Sequence, residues 1–270
     1  GAEVTSEGFQ IYGLNPYHYY SAGIASYLSN NQAMQDAWDV WNNHMPVNMN
    51  AGDIVGFKYF GFGGLSKAQK GLQPFEGTKK GNGTQLHVFV KANTTKSFKI
   101  KVMMDGPWAN KTWNGKLLGE LTVPAQTSAQ GIQKLTLDVA DKVDGFGKKH
   151  AIYLIAEGEG KQLCELEGIG FTKKGVNMEC PTIEIKMNGR KLNVPTIPTR
   201  MTNENGNFGY NEFDVIASLQ TGEKSAPRIT ASSDNKEVEI EILQPKTLQD
   251  KAYVKCTYKG ISKNYTIHIK

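Results

Sequence analysis

A short period constrains this chain more than anything else in its sequence. Apolar and polar residues alternate across residues 53–62, 85–91, 97–104, 117–123, 132–139, 150–157 and 165–171. Turn-forming stretches such as GNG at 81–83 and DGFG at 144–147 separate the segments. Alternation by twos places successive side chains on opposite faces of a strand, whereas a helix would repeat every 3.6 residues. Only residues 31–41 offer a helix of any length. Seven short strands joined by turns predict an antiparallel sandwich. A second series at 182–187, 212–219, 228–232, 238–242, 252–258 and 265–269 repeats the theme in fewer residues, its last two members forming a hairpin around Lys259 and Gly260. The expected fold class is therefore all-β, with two β-sandwich domains.

The division follows the aromatic residues. Of the 26 Phe, Trp and Tyr, 20 fall before residue 174, including all four Trp. The polar stretch KKGVNM at 173–178 is the expected join, giving domains 1–174 and 179–270. About ninety residues with six or seven strands is the size of an immunoglobulin-like sandwich, although the Cys, Trp, Cys spacing of antibody domains is absent. The chain opens on Gly1 without Met or a basic-then-apolar leader, which reads as the scar of trimming.

Several function classes drop out on composition. Hydrophobic residues make up 39% and charged residues 21%, and the longest apolar runs, such as AIYLIA at 151–156, fall far short of the roughly 20 residues a spanning helix needs. No membrane span is expected. Residues 1–173 contain 17 Lys, no Arg, and 15 Asp and Glu, while Arg190, Arg200 and Arg228 lie far apart. Without clustered guanidinium forks, nucleic acid is not an expected partner. Cys164, Cys180 and Cys256 lack the spacing of a zinc site. A Cys180–Cys256 bridge is one reading of these residues, and buried free thiols are the favoured one.

Catalytic patterns are also missing. GxSxG, HExxH and a P-loop are absent, and His18, His44, His87, His150 and His268 are scattered. The glycine-rich FGFGGL at 60–65 is followed by Gly71, Pro74 and Gly77, not by the helix a dinucleotide site requires. Two carboxylate pairs, Glu157 with Glu159 and Glu165 with Glu167, sit at the spacing that puts side chains on one face of a strand. Glycosidases use paired carboxylates, but from separate strands facing a deep cleft, so a solvated edge or a calcium site is the expected role.

Aromatic residues in loops make a stronger case. Sugars bind by laying the apolar face of a pyranose on an exposed Trp or Tyr while amides and carboxylates bond the hydroxyls. The stretch DGPWANKTWNG at 105–115 places Trp108 and Trp113 among Asn110, Thr112 and Asn114; a second stretch gathers Tyr17, His18, Tyr20, Trp38, Trp41, Asn42, Asn43 and His44. Either set serves as a sugar platform or as a packing surface.

Four segments then carry a resemblance. GDIVGFKYFGFG at 52–63 resembles the glycine-aspartate opening and aromatic strand of family 6 carbohydrate-binding modules, especially those attached to family 43 glycoside hydrolases. LGELTVP at 118–124 resembles their IGTLEVP segment; KHAIYLI at 149–155 and LCELEGIGF at 163–171 resemble their closing strands GHDLYLV and LFNFDWF. The order and spacing agree over residues 2–172. The resemblance implies a jelly-roll β-sandwich that binds xylan, arabinan or β-glucan and catalyses nothing, holding a hydrolase catalytic domain in cis near its substrate by raising effective concentration. It also implies a secreted, periplasmic or cell-surface bacterial protein. Residues 180–270 resemble, more distantly, the immunoglobulin-like accessory domains of such hydrolases.

Departures from the pattern bear on the site. Ile132 stands where the family has a cleft Trp, and Glu165 where it has a sugar-bonding Asn. The family's structural calcium would draw on Glu3 and Glu167, with Thr5 in place of a second N-terminal acid. The expected sugar-binding set is thus Trp108, Trp113, Asn110, Asn114, Glu165 and Tyr20, with Glu3 and Glu167 for the metal. One rival is a structural role, the aromatics docking on a hydrolase catalytic domain with sugar binding lost. Another is a small hydrolase acting through one of the glutamate pairs.

Overall fold

The structure, a computed structural model, describes residues 13–30, 46–68, 73–127, 131–201 and 211–270. The expected helix at 31–41, the cluster from Trp38 to His44, and Glu3 and Thr5 lie outside them. The chain divides into two compact units, Gly1–Val176 and Asn177–Lys270.

In the first unit, β1 (Tyr19–Ser21), β2 (Tyr27–Leu28), β3 (Val47–Met49), β4 (Ile54–Gly61), β5 (Gly64–Leu65), β6 (Phe75–Glu76), β7 (Gln85–Ala92), β8 (Phe98–Met104), β9 (Lys116–Val123), β10 (Gln133–Asp138), β11 (Lys149–Glu157) and β12 (Cys164–Thr172) follow one another. Five form one sheet in the order β1-β12-β7-β10, with β3 also on β12; a second sheet runs β2-β4-β11-β8-β9. All their pairings are antiparallel. Alternation assigns the faces. Leu86, Val88, Val90 and Ala92 of β7 meet Ile100, Val102, Ile152 and Leu154 of the other sheet in one buried core. The intervening residues of β8, Lys99 and Lys101, turn outward to pair with Glu120 and Glu157 at 2.7 and 2.5 Å. Phe60 is fully buried among Phe57, Phe62, Phe171 and Tyr20, with ring centroids 5.1 to 6.4 Å apart.

Asp53 shows how a carboxylate survives inside. It is 2% exposed, accepts the Asn50 backbone N–H at 2.8 Å and the Ser29 hydroxyl at 3.4 Å, and bonds the Asn30 amide. A buried charge is tolerated when its oxygens are filled in this way. The glycine-aspartate opening of the 52–63 segment is therefore a structural turn.

In the second unit, β13 (Glu184–Met187), β14 (Arg190–Lys191), β15 (Arg200–Met201), β16 (Asn211–Ala217), β17 (Ile229–Ser232), β18 (Glu239–Leu243), β19 (Ala252–Tyr258) and β20 (Ile261–Ile269) make two sheets, β14-β13-β17 and β15-β16-β20-β19-β18. Both contribute to a core that includes Ile185, Met187, Val215, Ile229, Val254 and Ile267. The β19–β20 hairpin turns on Lys259 and Gly260 as expected, with φ of 49° and 80°. Positive φ at both central residues is the turn whose twist matches that of the flanking strands. One pairing differs from the antiparallel pattern: β16 and β20 run parallel.

Candidate functional site

The second sheet of the first unit carries a separate apolar cluster on the face turned away from the main core. On β4, β8 and β11, Val55, Val102, Ile152 and Leu154 point into the core, so their neighbours Ile54, Met103, Ala151 and Tyr153 point the other way and pack together. Tyr27, Tyr59 and Ile155 pack against this cluster. Gly56 stands in register with both Tyr153 and Tyr27. A Cβ there would lie 2.7 Å from the Tyr153 ring, so the missing side chain is what lets the ring lie across β4. Burial, with Tyr59, Tyr27 and Asp105 nearby, holds the Tyr153 hydroxyl above its ordinary pKa.

From this cluster a row of rings leads outward. Tyr27 meets Tyr153 edge-on at 6.0 Å, Tyr153 meets Trp113 at 6.5 Å, and Trp113 meets Trp108 at 5.6 Å, with interplanar angles of 72°, 73° and 65°. Edge-to-face pairs at these separations are mutually attractive. Trp108 ends the row with 44% of its surface exposed. Lys149 lies over the Tyr59 ring at 5.2 Å.

The loop joining β8 to β9 holds the two tryptophans, and its polar residues hold the loop. The Asn110 side-chain oxygen accepts the backbone N–H groups of Thr112 and Trp113 at 3.1 and 2.9 Å, and its carbonyl accepts that of Asn114 at 2.7 Å. Gly115 donates to the Trp108 carbonyl at 2.9 Å. Asp105 and Asn114 take φ of 65° and 50°, a region that Asp and Asn tolerate better than most residues. A Cβ on Gly115 would fall 2.2 Å from the Gly106 carbonyl oxygen, so the loop closes only because that side chain is absent. At its base Asp105 accepts from His150 Nδ1 at 2.9 Å and from the Ala151 backbone at 3.3 Å. Asn110 and Asn114 thus shape the loop, and Trp108 is what it presents.

The other expected residues lie elsewhere. Tyr20 and Glu165 belong to the opposite sheet. Tyr20 is half-buried, 5.8 Å from Phe60, and burial raises its hydroxyl pKa. Glu165 is in register with Lys91 and Asn48, its carboxylate 4.0 Å from the lysine amine. A bulge between Leu166 and Gly168 breaks the alternation of β12 on its β7 side, and Glu167 beside it is 3% exposed, close enough to raise the Tyr19 hydroxyl pKa after burial has done so. Glu157 ends β11 and pairs with Lys101, while Glu159 lies in the turn beyond. Neither glutamate pair therefore sits on a regular strand face. Ile132, which the sequence resemblance set against a cleft Trp, is buried.

A hard cation such as calcium takes 6 to 8 oxygen ligands, and Glu167 is a buried carboxylate of the right chemistry. Among the described residues no group of three or more His, Cys, Asp and Glu could hold a metal. The implied site rests on Glu167 and on Glu3, which lies outside them. Two of the described histidines have structural partners on strands: His87 bridges the Thr136 and Thr172 hydroxyls at 2.9 and 2.7 Å, and His268 meets Asp214 at 2.6 Å.

No protein-family model matches this sequence, and no curated protein does. Solved structures similar to the chain include a family 6 carbohydrate-binding module studied for its binding sub-sites, at 16% identity, covering 61% of this chain and 100% of that one with a TM-score of 0.40. A family 6 module from Clostridium cellulolyticum in complex with xylose matches at 19% identity, covering 59% and 100%, with a TM-score of 0.41. A CBM36 module in complex with calcium and xylotriose matches at 12%, covering 57% and 98%, with a TM-score of 0.33.

Proposed function

We propose that the first unit is a non-catalytic carbohydrate-binding module, the accessory region of a secreted polysaccharide-degrading glycoside hydrolase, with Trp108 as its sugar platform. The observation that carries this reading is the exposed Trp108 ring at the end of an edge-to-face row anchored in a sheet. A large ring held rigidly in a loop loses little freedom when a pyranose stacks on it, and preorganisation of this kind lowers the cost of binding. With the Asn110 side-chain oxygen taken up by the loop, its amide N–H groups and the exposed Lys111 amine stand in the same loop for the hydroxyls. The ligand class proposed is plant-type polysaccharide: xylan, arabinan or β-glucan. The second unit is proposed as an immunoglobulin-like spacer.

The test is affinity gel electrophoresis of the whole chain against soluble xylans, arabinans, galactans and β-glucans, with calcium and again with a chelator. Retardation by one class supports the module and names its ligand. A calcium-dependent melting temperature supports a structural calcium drawing on Glu3 and Glu167. Release of reducing sugar by the chain, abolished in Glu165→Gln, overturns the non-catalytic reading. The docking alternative also draws on an observation, since Leu117, two residues past the loop, is 50% exposed. It expects no retardation by any polysaccharide and self-association of the isolated chain.

A further inference from the structure

The second unit holds a pair of cysteines that sugar binding does not use. Cys180 stands just before β13, which belongs to one sheet, and Cys256 lies in β19 of the other. Both side chains enter the same core, at 2% and 0% exposure, and their sulfurs are 3.4 Å apart. A disulfide needs about 2.05 Å between sulfurs, so about 1.4 Å of approach separates the thiol pair from a bond. Cys164 is also fully buried, but in the core of the first unit.

We infer that Cys180 and Cys256 are joined by a disulfide when the chain folds under oxidising conditions, tying the two sheets of the second unit across its core, while Cys164 stays a thiol. The chemistry is thiol exchange with a small disulfide such as oxidised glutathione. The thiolate of one cysteine attacks the glutathione disulfide, forming a mixed disulfide and expelling one glutathione thiolate. The second cysteine, as thiolate, displaces the other glutathione and closes the protein bond. Two thiol protons end on two glutathiones, which are reduced as the cysteines are oxidised.

Burial dictates when this happens. Both sulfurs are sealed in the folded unit, and burial, reinforced by Cys180, pushes the Cys256 thiol up to about 12. The thiolate is the attacking species, so a chain folded in the reduced state oxidises slowly. The bond forms before the sheets close, and once formed it resists reductant. Residues 180 to 256 enclose most of the second unit, so the bond removes a long loop's worth of freedom from the unfolded chain.

The whole 270-residue chain, unfolded with reductant and refolded in a mixture of oxidised and reduced glutathione, tests the inference by mass spectrometry after alkylation in denaturant without reductant. The expected product carries one alkyl group, on Cys164, and yields a linked peptide pair containing Cys180 and Cys256. Its second-unit melting temperature falls by more than about 10 °C on reduction in denaturant and refolding without oxidant. The double variant Cys180→Ala with Cys256→Ala, compared with and without oxidant, shows no such difference. Three alkyl groups, or a bridge that uses Cys164, overturns the inference. If the double variant fails to fold, the alkylation pattern of the unaltered chain still decides.

Discussion

At the residue scale, Trp108 and His87 show how differently two side chains of one sandwich are used. Trp108 is partly open to solvent, whereas Trp113 is held between Trp108 and Tyr153. Trp108→Ala is expected to shift the melting temperature by no more than about 2 °C, and Trp113→Ala to lower it by more, because it removes two ring pairs. Calorimetry checks this; equal losses would mean that Trp108 is a packing residue. His87 is 4% exposed, and burial, with Lys134 nearby, holds its ring down to about 4. The neutral ring suits its place, since one nitrogen donates to a threonine hydroxyl and the other accepts. Its folded pKa lies below the ordinary value of 6.5, so the unfolded chain takes up more protons between these limits. The contribution to stability is whole above pH 6.5 and is lost as pH falls through about 4. Melting temperatures measured from pH 7 to pH 4 should fall less steeply in His87→Gln than in the unaltered chain. Parallel slopes would exclude His87 as a source of acid sensitivity.

At the element scale, the loop between β8 and β9 is built by small residues so that a large one can be shown. Gly115→Ala forces a methyl against the Gly106 carbonyl and is expected to displace Trp108, costing binding at least about tenfold, or about 1.4 kcal/mol, while far-ultraviolet circular dichroism keeps its β-sheet form. Unchanged binding would mean that the loop geometry does not matter to the site. How much of this was legible depends on strand length. The seven long strands of the first unit show themselves by alternation because each spans at least two full periods. Strands of two or three residues, such as β2, β3 and β5, are too short to show any period. Asn188-Gly189, with φ of 48° and 79° between β13 and β14, is a hairpin signal that can be read from the residues alone. The outward cluster around Tyr153 was hidden for another reason. AIYLIA at 151–156 is apolar on both faces, and such a run reveals double burial without saying which residues face the core. The partnership of Trp113 with Tyr153 joins residues forty apart and depends on β8 pairing with β11, which local pattern does not specify. The bulge beside Glu167 likewise leaves no mark on the spacing of the glutamates.

At the scale of the whole molecule, two units with separate cores predict two unfolding events. Phe60→Ala removes a ring packed on four others in the first unit and is expected to cost that unit about 3–5 kcal/mol, leaving the transition of the second where it was. Differential scanning calorimetry reads both, and a single transition that shifts as one would contradict the division. The composition of the chain agrees with this division of labour, since all four tryptophans and most other aromatic residues lie in the first unit. Sugar binding by the first unit, as proposed, depends on Trp108 serving as the platform. Its most direct test runs the whole chain and Trp108→Ala side by side through the polysaccharide gels. If Trp108 is the platform, at least one polysaccharide retards the unaltered chain and Trp108→Ala migrates as in an empty gel. No retardation by any polysaccharide, or equal retardation of both proteins, would contradict it.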